Sequence, residues 1–173
     1  LVFTVSQDKT SAFDTTAQVD LTLGTVETAD IVSIVYTDAS GTVQTLNTVA
    51  LINAFVASGD TVKIATGATA APVITITVAD DAIYEQSEAL SLQVSSPTNA
   101  TLSTTPANVT AAGTIYDEDS SDPTDPVPGD ELGDAPVVSI AATDSTAVEG
   151  TTNNTLVFTV SQDKTSAFDT TAQ

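Results

Sequence analysis

Two acidic runs carry most of the chemistry this sequence has to offer. Asp80-Asp81-Ala82-Ile83-Tyr84-Glu85-Gln86-Ser87-Glu88 follows the alternating apolar segment Val73 to Ala79, and Asp117-Glu118-Asp119 follows Val109 to Tyr116. Alternation with a period of two reads as a β-strand, so the carboxylates are expected at strand ends, where the loops of a sandwich gather. At about 5 Å and an effective dielectric of about 20, each like-charged pair there costs roughly 3 kcal/mol. The chain has 23 Asp and Glu against three lysines, Lys9, Lys63 and Lys164, and it has no arginine or histidine. A divalent cation is the expected counter-charge. Carboxylate and loop carbonyl oxygens are what Ca2+ accepts, in irregular sets of about six to eight, whereas zinc lacks the Cys and His it favours. The competing reading makes the same residues solvated turn formers, since Asp is common in turns for backbone reasons.

The elements around these runs carry a resemblance. The run DDAIYEQSEALSLQVSSPTNATLS, from Asp80 to Ser103, followed by AAGTIYDED, from Ala111 to Asp119, resembles the second half of a Calx-beta domain: a paired Asp, two Glu, a strand and a closing Ile-x-Asp-x-Asp. VVSIAATDSTAVEGTTNNTLVFTVS, from Val137 to Ser161, is similar to that family's first half, with Val148-Glu149-Gly150 as its Val-x-Glu-Gly-like element. The resemblance implies an immunoglobulin-like sandwich that binds calcium. Carried over position by position, it implies Asp80, Asp81, Glu85, Glu88, Asp117, Asp119 and Glu149 as ligands. Gly24-Thr25-Val26-Glu27-Thr28-Ala29-Asp30 is the looser counterpart of a family turn that ends in Asp, and adds Asp30.

Composition narrows the function classes. A net charge of −20, with only 15% charged residues, makes nucleic acid and anionic membrane surfaces poor partners. Without Cys, stability rests on the core and, on this argument, on metal. No run approaches the roughly 20 apolar residues of a membrane span. Ser-His and Cys-His pairs are impossible, and an acidic pair acting on glycosides normally needs a cleft with sugar-stacking aromatics, so an enzyme is not expected.

LVFTVSQDKTSAFDTTAQ occupies Leu1 to Gln18 and returns unchanged at Leu156 to Gln173, an offset of 156 − 1 = 155 residues. Identity over that length marks a tandem array of which this chain is one period plus an overlap. Leu1 falls inside a strand pattern, with no start Met or basic leader, so the chain reads as an out-of-register excerpt. Residues 1–119 are expected to form a β-sandwich lacking its first strand. Residues 120–135, rich in Pro and Asp, read as an extended linker. Residues 136–173 then hold the first strands of the next repeat, or a strand donated to another copy.

Within the sandwich, strands are expected at Leu1 to Val5, Val19 to Leu23, Ile31 to Tyr36, Thr42 to Leu46, Thr61 to Ala65, Val73 to Ala79, Leu90 to Val94 and Val109 to Tyr116. The segment from Asn47 to Ala57 fits a strand or a short helix. The fold class expected is all-β, an immunoglobulin-like Greek-key sandwich. The function expected is a calcium-stiffened spacer of a secreted bacterial adhesin or surface filament, at the cell surface, with neighbouring copies as partners. The alternatives are a strand-donating subunit of a head-to-tail extracellular fibre and a carbohydrate- or surface-binding module.

Overall fold

The computed structural model describes residues 1–81, 83–105, 109–116, 135–150, 152 and 154–172. The expected linker, apart from Ala135, and the acidic run Asp117-Glu118-Asp119 lie outside them. The chain forms two compact units, one of residues 1–80 and 88–115, the other of 81–87 and 116–173.

In the first unit the strands are β1 (Val2–Phe3), β2 (Thr15–Thr22), β3 (Ile31–Thr37), β4 (Val43–Leu46), β5 (Asp60–Ile64), β6 (Ile74–Val78), β8 (Glu88–Thr98) and β9 (Thr110–Ile115). They make two four-stranded sheets with every neighbouring pair antiparallel, in the orders β1-β6-β3-β4 and β5-β2-β8-β9. One core cluster draws Phe3, Ile34, Tyr36, Ile74 and Ile76 from the first sheet and Val19, Leu21, Val62, Leu90 and Leu92 from the second. The unit is thus an all-β sandwich of generic immunoglobulin-like kind.

The binary pattern accounts for most of this packing. In β2, Thr15, Ala17, Val19 and Leu21 are buried while the residues between them are not, the period of a strand with one face in a core. β3 breaks that period, burying Ile31, Ile34 and Tyr36. A register shift between Ile31 and Ser33 against β6 supplies the extra residue, as a β-bulge does. On β9, Gly113 leaves space at the core: a Cβ there would lie 2.9 Å from Leu1 Cδ1 and 3.2 Å from Phe3 Cζ.

The ambiguous segment is a helix, α1 (Val49–Ser58). Thr48 Oγ1 accepts the Leu51 N–H at 3.4 Å as its N-cap, and the Gly59 N–H donates to the Phe55 carbonyl at 2.7 Å. Ile52 and Phe55, three apart on one face, enter the core, and the Phe55 ring lies 5.2 Å from that of Tyr36. β8 also runs further than its sequence indicates, through Ser96-Pro97 to Thr98. Thr98 pairs with Thr16 across a register shift, and its hydroxyl accepts the Thr16 N–H at 3.3 Å.

The second unit holds β10 (Val138–Asp144) antiparallel to β11 (Val157–Gln162), and β7 (Ile83–Tyr84) parallel to β12 (Thr165–Ser166). Tyr84 and Phe168 meet edge to face at 6.2 Å. Among the described residues no helix is long and apolar enough to cross a membrane.

Candidate metal centre

Asp30 and Glu88 meet because a glycine turn stitches three strand ends together. Gly24 has φ +64, and a Cβ on it would lie 2.3 Å from the Ala89 carbonyl oxygen, so only glycine lets this turn close on β8. The Thr25 N–H donates to the Ala89 carbonyl at 3.2 Å, and the Ala89 N–H donates to Thr25 Oγ1 at 2.9 Å. That fixes the turn beside Glu88, the first residue of β8. The chain then makes a single 3-10 turn, Thr28–Asp30, and enters β3. Asp30 Oδ2 accepts the Glu27 N–H at 2.6 Å, and the Asp30 carbonyl accepts the Ala79 N–H at 2.7 Å. Asp80, exposed, leaves the end of β6 next to that contact.

The outcome is that Asp30 and Glu88, both half-buried, bring carboxylate oxygens within 4.8 Å of each other. With both ionised, an effective dielectric of about 20 puts their repulsion at about 3.5 kcal/mol. A cation placed between them removes that cost and adds attraction. The donors are all oxygens, which suits a hard cation rather than zinc or copper.

No protein-family model, curated protein or solved structure matches this chain.

The remaining expected ligands are placed as follows. Asp81 is exposed, and its Oδ1 accepts the Ile83 N–H at 2.8 Å, the turn-forming bond that makes Asp frequent in loops. Glu85, half-buried, lies with Asp81 in the second unit, as does the exposed Glu149, next to Gly150. Asp117 and Asp119 lie outside the described residues.

Asp38 opens Asp38-Ala39-Ser40-Gly41, which the sequence marks as a hairpin turn between the strands expected at Ile31 to Tyr36 and Thr42 to Leu46, and the structure forms that hairpin. Asp38 accepts the Ser40 hydroxyl at 2.5 Å, the Gln44 side-chain amide at 2.7 Å, and the N–H groups of Ser40 and Thr42 at 2.8 and 3.0 Å. These donors, led by the Ser40 hydroxyl and then Gln44, hold its carboxyl down to about 2. Asp38 is the turn former of the β3–β4 hairpin, its acceptor capacity spent on the backbone and neighbouring side chains. Asp-Ala-Ser-Gly between two strand patterns is its signal. Lys63, on β5, is engaged away from this site, with its Nζ 3.4 Å from Asp14 Oδ2.

Proposed function

We propose that this chain is a structural repeat of a secreted surface adhesin or filament, a Calx-beta-like spacer that calcium stiffens. The observation that carries the reading is the approach of Asp30 and Glu88, one closing the 3-10 turn before β3 and the other opening β8 beside a turn fixed by backbone hydrogen bonds. Both are positions that the Calx-beta resemblance implies as ligands, and they lie some sixty residues apart in sequence. The duplicated eighteen residues support an array of copies, and the charge of −20 suits a chain that lives among divalent cations. In this reading Ca2+ neutralises the acidic end of the sandwich, so folding and stiffness are coupled to the metal-rich exterior. Asp80, Asp81, Glu85, Asp117, Asp119 and Glu149 are proposed as further donors on the resemblance alone.

The test is calorimetric titration of CaCl2 into the full chain after treatment with a chelator. Binding is expected with a Kd on the order of 10⁻³ M or tighter, the range that spans extracellular modules and sensors. The double variant D30N/E88Q is expected to lose at least one site. An isotherm without heat, or one unchanged in the variant, overturns the assignment.

A further inference from the structure

A five-residue turn occurs twice in this chain, and its two copies have different neighbours. Lys9-Thr10-Ser11-Ala12-Phe13 recurs 155 residues later as Lys164-Thr165-Ser166-Ala167-Phe168. Both copies close on the same bond: the Phe13 N–H donates to Ser11 Oγ and the Phe168 N–H to Ser166 Oγ, each at 3.0 Å. The turn keeps its shape in both settings, so docking it requires no rearrangement.

In the second copy the turn is docked on the acidic run. Thr165 and Ser166 pair in parallel with Ile83 and Tyr84, and the Ala167 N–H donates to the Tyr84 carbonyl at 3.1 Å. The Phe168 ring meets Tyr84 edge to face at 6.2 Å. Ile83 and Tyr84 lie inside the run from Asp80 to Glu88, and the parallel register brings Lys164 to its Asp81 end. Two of the chain's three lysines, Lys9 and Lys164, belong to this turn. A lysine-bearing turn complements an acidic loop, whereas two acidic loops repel.

The first copy offers the same groups. The Ser11 carbonyl accepts the Gly67 N–H at 3.0 Å, which anchors the turn to its own sandwich. The Ala12 N–H is the counterpart of the one that reaches Tyr84, and it has no partner among the described residues. Phe13 is 68% exposed, against 46% for Phe168.

We infer that successive repeats interlock through this pair: the acidic loop of one repeat, with Tyr84 at its centre, seats on the Lys-Thr-Ser-Ala-Phe turn of the next. Within this chain the joint is the contact of residues 83–84 with 165–168. Lys9 to Phe13 is then the seat for the loop of a preceding copy, with Ile83 against Thr10 and Tyr84 against Ser11. One loop serves one turn, so the contact is heterologous and runs along the array in one direction. So short a pairing suffices because loop and turn are tethered in one chain, which holds them at a millimolar effective concentration. The inference deepens the structural-repeat reading and rests on the tandem duplication, not on calcium.

The chain has no cysteine, so engineered thiols read the joint without background. The full-length variant I83C/T165C is expected to close a disulfide within single chains about tenfold faster than I83C/T10C, whose second thiol has the same local sequence. Equal closure, or faster closure of I83C/T10C, overturns the inference. The seat on the first copy is read between chains. Phe168→Ala withdraws the ring from Tyr84, and an I83C/F168A chain is mixed with a T10C chain under mild oxidation. The mixed disulfide is expected on the order of tenfold faster than with a T45C chain, whose thiol is exposed on β4. Adding Phe13→Ala to the T10C chain should bring the rate down to that control. A T10C rate equal to the control from the start, or one that Phe13→Ala leaves unchanged, overturns the inference. All mixtures contain chelator, so failure here leaves the calcium assignment to its own titration.

Discussion

Replacing Gly24 by alanine tests whether the turn before Asp30 organises the acidic end of the sandwich. A non-glycine residue at φ +64 carries a conformational cost of about 1–2 kcal/mol. The new Cβ would also sit 2.3 Å from the Ala89 carbonyl oxygen, a backbone atom that cannot swing aside, so the turn must lift from β8. Lifting it breaks the two hydrogen bonds between Thr25 and Ala89, worth about 1 kcal/mol each. Gly24→Ala is therefore expected to destabilise by about 3–4 kcal/mol. Gly41→Ala is the control, because Gly41 has φ +88 but nothing within 4 Å of a Cβ, leaving only the conformational cost of about 1–2 kcal/mol. Urea unfolding of both variants, with m-values compared to confirm a common transition, measures the difference. Equal losses, or a neutral Gly24→Ala, would refute the claim that this close approach fixes the turn.

The remaining predictions concern the hairpin and the core. Asp38 titrates at about 2 in the folded chain, below its ordinary value, so it contributes stability above the unfolded carboxylate range and loses it as pH falls through about 2. A carboxyl-resolved NMR titration should place its midpoint there, and Asp38→Asn should flatten that part of the stability–pH profile; an ordinary midpoint would contradict the bonding described. Burial and the hydrogen bond to Asp60 push the Tyr36 phenol upward, so its contribution is full below the unfolded phenol range and lost only as pH rises through the folded value. Absorbance titration should show Tyr36 still protonated when the chain unfolds in alkali. Tyr36→Phe, which removes the 2.5 Å bond from its hydroxyl to Asp60 Oδ2, should cost about 1.5–3 kcal/mol in urea unfolding.

The strands were legible where burial is one-sided and local. The second half of β2, β6 and the first half of β8 announce themselves by alternation, since each turns one face to the core, whereas β2 begins at Thr15, four residues before the strand expected at Val19. β3 was legible as a strand, but its bulge was not, because the extra residue is fixed by β6 rather than by β3's own sequence. α1 stayed ambiguous because an apolar run of that length satisfies either period, and Thr48 as N-cap together with Gly59 decides it. β7 pairs with β12, eighty-two residues away in register, and nothing in Ile83-Tyr84 signals so distant a partner.

The candidate site was legible only in part for the same reason. The acidic run drew attention to Glu88, but its meeting with Asp30 depends on Gly24 and Thr25 reaching Ala89, a contact between segments far apart in sequence. The duplicated eighteen residues were plain in the sequence.

Thermal unfolding of the full chain, in chelator and then in calcium at about ten times its measured Kd, tests the metal most directly. Binding to the folded state alone should add about 1.4 kcal/mol of stability at that excess and raise the midpoint accordingly, and D30N/E88Q should lose much of that rise. Superimposable transitions for the parent chain in the two solutions would contradict the account.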